Sequence, residues 1–434
     1  MSEFRRELGL VDSIVVVAGG IVGVGIFANP SNVARVVHDP VLILAVWAIG
    51  GLVALAGAFV WAELASRFPE VGGQYAYLHR AYPPVVGFLY GIALLFIING
   101  GSLAAVSVLF ASYVDRTFVP LGGAGIRVAA AAALVALTAM NVVGVRVGKW
   151  TNNVLMGAKV AGMLALVALA FGGSRSPVSD FQVVPSSIFR DTSLGTVLTA
   201  LVPILFAYGG WQSCANIAAE IKNPTRNLPR ANVLGVIAVV TLYLSLNLAY
   251  LWVLTPQQVA ASSALAADMA FAAAGAVGAR FVALLIVVSS LGFLAVVILT
   301  GARLIYAMAA DGLFLRAAAQ LHPRYRTPVF ALWFQAAVSI VLLTSNTYDQ
   351  LLSYVVFADW LFFGLTAGAL LIVRRREGRN GPITALLFIV VAFAIVVNSF
   401  FVYPTQSLIG SAILSAAAAV FLATRGRQRV EPAV

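Results

Sequence analysis

One cysteine, Cys214, stands among 434 residues, which excludes an intrachain disulfide framework and any metal site built from several thiolates. Histidine is nearly as scarce. His38, His79 and His322 fall in or near loops and compose neither a metal set nor a proton relay. No arrangement of Ser, His and Asp, or of Cys and His, points to covalent catalysis, so the chain is not expected to be an enzyme and no cofactor is implied. Charge is sparse as well, at 10% of residues. What is present instead is apolar: 61% of the chain is hydrophobic and the mean hydropathy is +0.98. A water-soluble domain of this length could not cover so much apolar surface, because the buried fraction saturates with size. The expected fold class is an all-α polytopic membrane protein.

Apolar runs of about twenty residues recur from end to end, the length a bilayer requires of a helix. Read with their breakers they predict twelve transmembrane helices, at 12–36, 41–64, 85–114, 126–144, 151–172, 193–219, 231–254, 276–306, 328–345, 350–373, 382–401 and 407–424. Turn residues separate them, as in "AYPPVV", "FGGSRSP" and "FVYPTQ". The start, "MSEFRRELGL", is polar and lacks a cleavage site behind a short apolar core, so no signal peptide is expected.

The net charge of +11 would be compatible with nucleic acid, but its placement argues otherwise. With alternate loops and both termini assigned to one side, that side holds twenty of the 27 lysines and arginines. Six arginines (35, 116, 127, 175, 190 and 280) lie on the other, and Lys159 alone falls within a span. Such a bias places both termini in the cytoplasm, with the basic residues facing an anionic leaflet of the bilayer. No nucleic-acid partner is expected.

Two spans are weakened near their middles. The first contains "GGIVGVGIFANP", Gly19 to Pro30; the sixth contains "LVPILFAYGGWQSCANIAAE", with Pro203, Gly209 and Gly210. Glycine costs about 1 kcal/mol relative to alanine in a helix, and proline about 3. Broken helices at corresponding positions of two halves mark transporter binding sites, because irregular backbone survives in hydrocarbon only when buried or lining a cavity. A break exposes amides at the start of one half-helix and carbonyls at the end of the other, which suits a zwitterion. Gly19 and Gly23 equally form a G-x-x-x-G face for close helix packing.

"GIVGVGIFANP" resembles the first-helix motif of the amino acid–polyamine–organocation superfamily, whose usual form is G-[ST]-I-[IV]-G-[ST]-G-I-F. "WAELASRFPEVGGQYAYL", "FAYGGWQSCANIAAEIKNPTRNLPRA", "SSLGFLAVVILTGARLIYAMAADGLF" and "HPRYRTPVFAL" extend the likeness, in order, across most of the chain. "FAYGGW" with "EIKNPTRNLPRA" looks most like the L-type amino acid transporter branch and its bacterial relatives. The resemblance implies a LeuT-like 5+5 inverted repeat, residues 1–173 and 174–373, with two peripheral helices in 374–434. Substrate carboxylate would meet the amides of Val24, Gly25 and Ile26 beside Gly23. The ammonium would meet carbonyls near Ile21 and Val22 and those of Phe206 and Ala207, with Gly209 in the second break and Tyr208 and Trp211 in the pocket or its lid. Many relatives carry Ser or Thr where this chain has Val24, so its carboxylate contact would be backbone only.

Ionisable residues inside a membrane are functional until shown otherwise. Lys159 lies about two turns into the fifth span and matches a lysine of the L-type branch that resembles a substitute for a bound sodium ion. Its expected partners are carbonyls near Gly19 or Gly20 and the hydroxyls of Ser289 or Ser290. Asp359 in the tenth span is a candidate for proton coupling, cation pairing or capping a structural hydrogen-bond network. Asn99 is a candidate for the pocket or for interhelical hydrogen bonding, and Phe293, Tyr354 and Phe357 are pocket candidates by helix number, with lipid-facing or core packing the alternative. Glu63 and Glu220 are placed to pair with Arg67 and Arg226 in a gate. The expected function is a secondary active, sodium-independent exchanger of neutral L-amino acids in a bacterial inner membrane, working by alternating access without an obligatory partner subunit. A proton-coupled symporter is the alternative, and an amino acid sensor or channel the alternative of another class.

Overall fold

A computed structural model describes residues 6–143, 145–172, 193–345 and 348–428. Among these every regular element is a helix, and the one β-bridge joins Leu8 to Ile221. In chain order the helices are α1 (Leu10–Ile21), α2 (Gly25–Val36), α3 (Pro40–Arg67), α4 (Gln74–Ala81), α5 (Pro84–Ala93), α6 (Asn99–Thr117), α7 (Gly122–Val143), α8 (Val145–Gly172) and α9 (Leu194–Tyr208). They continue with α10 (Ser213–Asn216), α11 (Pro224–Val253), α12 (Pro256–Ala261), α13 (Leu265–Ala310), α14 (Val329–Ser345), α15 (Tyr348–Arg376), α16 (Ile383–Val402) and α17 (Pro404–Gln428). A π-helical stretch, Leu94–Ile98, joins α5 to α6.

Local chemistry sets many of these boundaries. Helices α3, α5, α11, α12 and α17 open on proline, whose fixed φ suits a first turn and whose missing N–H is not needed there. Asp39 accepts from the Leu42 amide at 2.8 Å and Ser193 from the Thr196 amide at 3.1 Å, each quenching an orphan donor. Thr255 and Gln258 cap α12 reciprocally.

By length and hydropathy nine helices among the described residues can cross a membrane, or ten when α1 and α2 count as one span bent by 42°. Two shorter apolar helices, Leu194–Tyr208 and Val329–Leu343, fall below that length. The sixth expected span is therefore not one helix: α9 stops at Tyr208, and a bend followed by short turns carries the chain to Glu220. The eighth expected span, 276–306, starts just after the break in α13 at Ala274 and Gly275 (φ +63°), which sets it apart from the preceding helical segment that opens at Leu265.

The two interrupted spans meet backbone to backbone. A Cβ on Gly210 (φ +122°) would collide with the carbonyl of Gly20 and the amide of Ile21. One on Gly20 would stand 2.8 Å from the Gly210 carbonyl oxygen. Around this crossing, aromatic rings fill the space between α3, α9 and α11. Trp47 meets Tyr208 edge-on at 5.6 Å and Tyr243 at 6.1 Å. Edge-to-face pairs add roughly 0.5–1.5 kcal/mol each beyond their burial.

Gly210→Ala is therefore expected to lower the melting temperature of the purified protein markedly, through both the left-handed φ and the clash. Gly157→Ala is the control: its Cβ meets nothing within 4 Å on α8, and helix propensity favours alanine there. Equal melting temperatures for the two variants would show that the crossing is not close-packed.

Candidate functional site

The first break spans Val22 to Val24, one residue earlier than the Gly23–Gly25 segment the sequence indicated; Gly25 already belongs to α2. Its carbonyls do not wait for a ligand. Tyr243 on α11 donates its hydroxyl to the Ile21 carbonyl at 3.2 Å, and Ser289 on α13 reaches the Gly23 carbonyl at 3.4 Å. Between them, the ammonium of Lys159 donates to the Val22 carbonyl. Further along, the Tyr250 hydroxyl reaches the Ile26 carbonyl at 3.4 Å. Carbonyls freed by unwinding thus receive donors from three other helices, as a low-dielectric interior requires.

Lys159 is fully buried on α8 and forms no ion pair with a carboxylate among the described residues. Gly292 makes its place on α13, since a Cβ there would stand 3.3 Å from the lysine Nζ. The acceptor is Val22 rather than the expected Gly19 or Gly20. Neither expected serine partners the lysine: Ser289 serves the neighbouring Gly23 carbonyl, and the Ser290 hydroxyl turns back to Ile286 in its own helix at 2.8 Å. Gly19 and Gly23 both face α13, with Val296 and Phe293 respectively against them.

The second break is served differently. The Gly209 amide returns to the Phe206 carbonyl at 3.1 Å and the Gly210 amide is held by the Gln212 side chain at 3.1 Å. On the other side of Pro203, Asn29 of α2 donates to the Pro203 carbonyl at 2.7 Å. The carbonyls of Leu205 and Ala207 end α9 with no intrahelical partner.

Both breaks border one cavity of about 70 Å³. Of the sequence candidates it brings together Ile21, Gly23, Val24, Gly25, Phe206, Ala207, Gly209, Asn99, Phe293 and Asp359. Val22 and Ile26 are buried just behind it. Tyr208 and Trp211 do not line it, a correction to the expected pocket. The left-handed turn at Gly210 sends Trp211 outward, where its ring packs on Trp61 and Phe363 at 6.1 and 5.2 Å and fills the space Gly57 leaves open. Tyr208 sits among Trp47 and Tyr243. Phe357 faces Phe400 at 5.4 Å, away from the cavity, and the Tyr354 side chain lies outside the described residues.

Sequence reasoning missed Ser102, Gln212, Ser213, Trp360 and Phe363, all of which line the cavity. It also missed the π-helical turn: the Asn99 amide bonds to the Leu94 carbonyl, five residues back, which brings Ile98 and Asn99 to the cavity wall. Such bulges cluster at functional sites and carry no strong sequence signal.

At the arginine-rich end, the ion pairs are not all those expected. Glu63 pairs with Arg67 at 2.7 Å and with Arg374 at 2.5 Å. Arg67 also holds Glu377, whose carboxyl is kept below its usual pKa by that hydrogen bond. Glu220 pairs with Arg303 at 2.8 Å instead of Arg226, and both side chains are completely buried. Arg303 therefore cannot face a lipid leaflet. The Glu220 carbonyl accepts from the amides of Glu7 and Leu8, both at 3.0 Å, so the N-terminal segment is tied to the same point.

The model of the amino acid permease family matches residues 8–423. The chain is 32% identical over 397 residues to the b(0,+)-type amino acid transporter 1 of Mus musculus, covering 89% of this chain and 80% of that one. It is 29% identical over 406 residues to the serine/threonine exchanger SteT of Bacillus subtilis (strain 168), covering 92% and 90%. To the large neutral amino acids transporter small subunit 2 of Mus musculus it is 28% identical over 379 residues, covering 86% and 71%.

Breaking a buried ion pair from one side costs about 3–5 kcal/mol, because a lone charge is stranded. Arg303→Met and Glu220→Gln are each expected to destabilise the protein strongly, and the double variant to recover much of the loss. Thermal unfolding of the four proteins measures this cycle. Additive losses would mean that the two side chains do not depend on one another.

Proposed function

The chain belongs to the amino acid permease family, and from that premise we propose that this membrane amino acid transporter is a sodium-independent exchanger working by alternating access. The observation that carries the reading is the pair of broken spans sharing one cavity. The start of α2 offers amides that helix geometry leaves without acceptors, and the end of α9 offers carbonyls in the same condition. An α-amino acid supplies the complementary charges on adjacent groups. In this reading the carboxylate meets the amides at Val24, Gly25 and Ile26. The ammonium meets the carbonyls of Leu205 and Ala207, with Phe206 and the end of α1 at Ile21 beside them.

Lys159 supports independence from sodium. A fixed ammonium already neutralises a break carbonyl, at a point where an exchangeable cation would otherwise be needed. Closure follows from substrate binding if the two ends are better neutralised in one arrangement of the bundle than in the other. Residues 1–173 and 174–373 are the two repeats that would move against each other, with 374–434 outside them.

Neutral side chains fit the apolar part of the wall, formed by Ile98, Val106, Phe293 and Val297. The basic end of the bundle faces the cytoplasm of a bacterial cell, with both termini there. Although one relative is named as a small subunit, the sole cysteine here is fully buried, which leaves no thiol for a covalent link to another subunit. We take the chain to act without an obligatory partner.

Reconstituted protein is expected to take up labelled amino acid only when unlabelled amino acid is trapped inside the liposome, with or without sodium. Uptake driven by an inward proton gradient alone would replace exchange with symport, and binding without flux would leave a sensor. Lys159→Ala should cut exchange at least tenfold while the protein still elutes as a single folded species. Wild-type rates in that variant would remove the lysine from the mechanism.

A further inference from the structure

Among the described residues that border the cavity, Asp359 is the one with an ionisable side chain. It projects from the middle of α15, and no lysine or arginine among the described residues pairs with it. The membrane-embedded charge nearest to a functional role, Lys159, is spent on the Val22 carbonyl behind the first break. The other acids in contact with helix ends have cations of their own: Glu63 has Arg67 and Arg374, and Glu220 has Arg303. Asp359 is thus a carboxyl group facing a partly apolar space with no cationic protein side chain paired to it among the described residues. Such a group is expensive to hold in a low-dielectric interior, and the cost falls sharply when a cation or strong donor arrives.

The breaks already provide for the main-chain groups of an amino acid, anion at the α2 amides and cation at the α9 carbonyls. What remains for the wall carrying Asp359 is the side chain. Asn99 and Ser102 on α6 border the same space and can take up further hydrogen bonds, while Phe293 and Val297 cover the aliphatic stem. We propose that Asp359 is a specificity-determining residue whose carboxylate receives the side-chain ammonium or guanidinium of the substrate. The cavity then favours side chains ending in a positive charge over apolar ones of the same length. This inference rests on the reading of the cavity as the amino acid site, and it extends the substrate range beyond neutral side chains.

Lysine and norleucine share a straight four-carbon side chain and differ in the terminal ammonium, so their affinity ratio isolates that charge. Calorimetric titration of full-length protein in lipid nanodiscs with L-lysine and L-norleucine should show wild type preferring lysine by at least tenfold. Asp359→Asn should cut that ratio at least tenfold, and Asp359→Glu should retain part of it. A wild type that binds norleucine as tightly as lysine would overturn the proposal. So would an Asp359→Asn variant that weakens both ligands equally, since the carboxylate would then serve the shared α-amino group or the fold. Wild-type protein that binds no member of a panel of the twenty common amino acids removes the transport reading beneath it, an outcome separate from either of these.

Discussion

Every peptide group taken out of a helix within a membrane must be given a partner from elsewhere in the protein. That requirement organises this bundle. Unwinding three residues between α1 and α2 draws in Tyr243 from α11, Lys159 from α8 and Ser289 from α13, each delivering a donor to a different carbonyl, and Tyr250 of α11 serves the Ile26 carbonyl that Pro30, lacking an N–H, leaves open. The break is consequently the place where three other helices are pinned to one another through the first span. A conformational change that shifts α1 must find replacements for these bonds or leave carbonyls bare at a cost of several kcal/mol each. The lysine carries the largest penalty, because a buried ammonium that loses its acceptor is stranded as a charge.

Packing and unwinding at "GGIVGVG" are not alternatives. Gly19 and Gly23 let Val296 and Phe293 of α13 approach the first span closely, and Gly20 lets the second break lie across it. The same close approach brings Ser289 within reach of the Gly23 carbonyl. Small residues therefore serve the break twice, by permitting its backbone path and by admitting the helices that satisfy it.

The apolar spans, the two glycine-rich interruptions and the buried lysine were legible because each violates or fulfils a strong local rule. Directions around the breaks were not. Trp211 follows Gly210 directly, and whether its ring enters the cavity depends on the sign of one φ angle, which the letters "GGW" leave open. The acceptor of Lys159 lies 137 residues away in sequence, and its identity depends on the register between α8 and α1. Glu220 has Arg226 close by in the chain, yet it pairs with Arg303 because the short turns of 213–220 bring it against α13. The π-helical turn before Asn99 reads as continuous apolar helix, so its displacement of the cavity wall had no sequence marker beyond Gly100 and Gly101.

The two breaks are unequal, and the inequality bears on what the cavity receives. The first has protein donors on its Ile21, Val22 and Gly23 carbonyls, so what it chiefly offers is N–H, at the start of α2. The second has its amides at Gly209 and Gly210 occupied, by Phe206 and Gln212, so what it still offers is C=O, at the end of α9. One break presents a donor face and the other an acceptor face across the same space. A ligand with a single charge would satisfy one and leave the other bare. A zwitterion with adjacent charges answers both, and any further charge on it must be met by the remaining walls, where Asp359 is the group available.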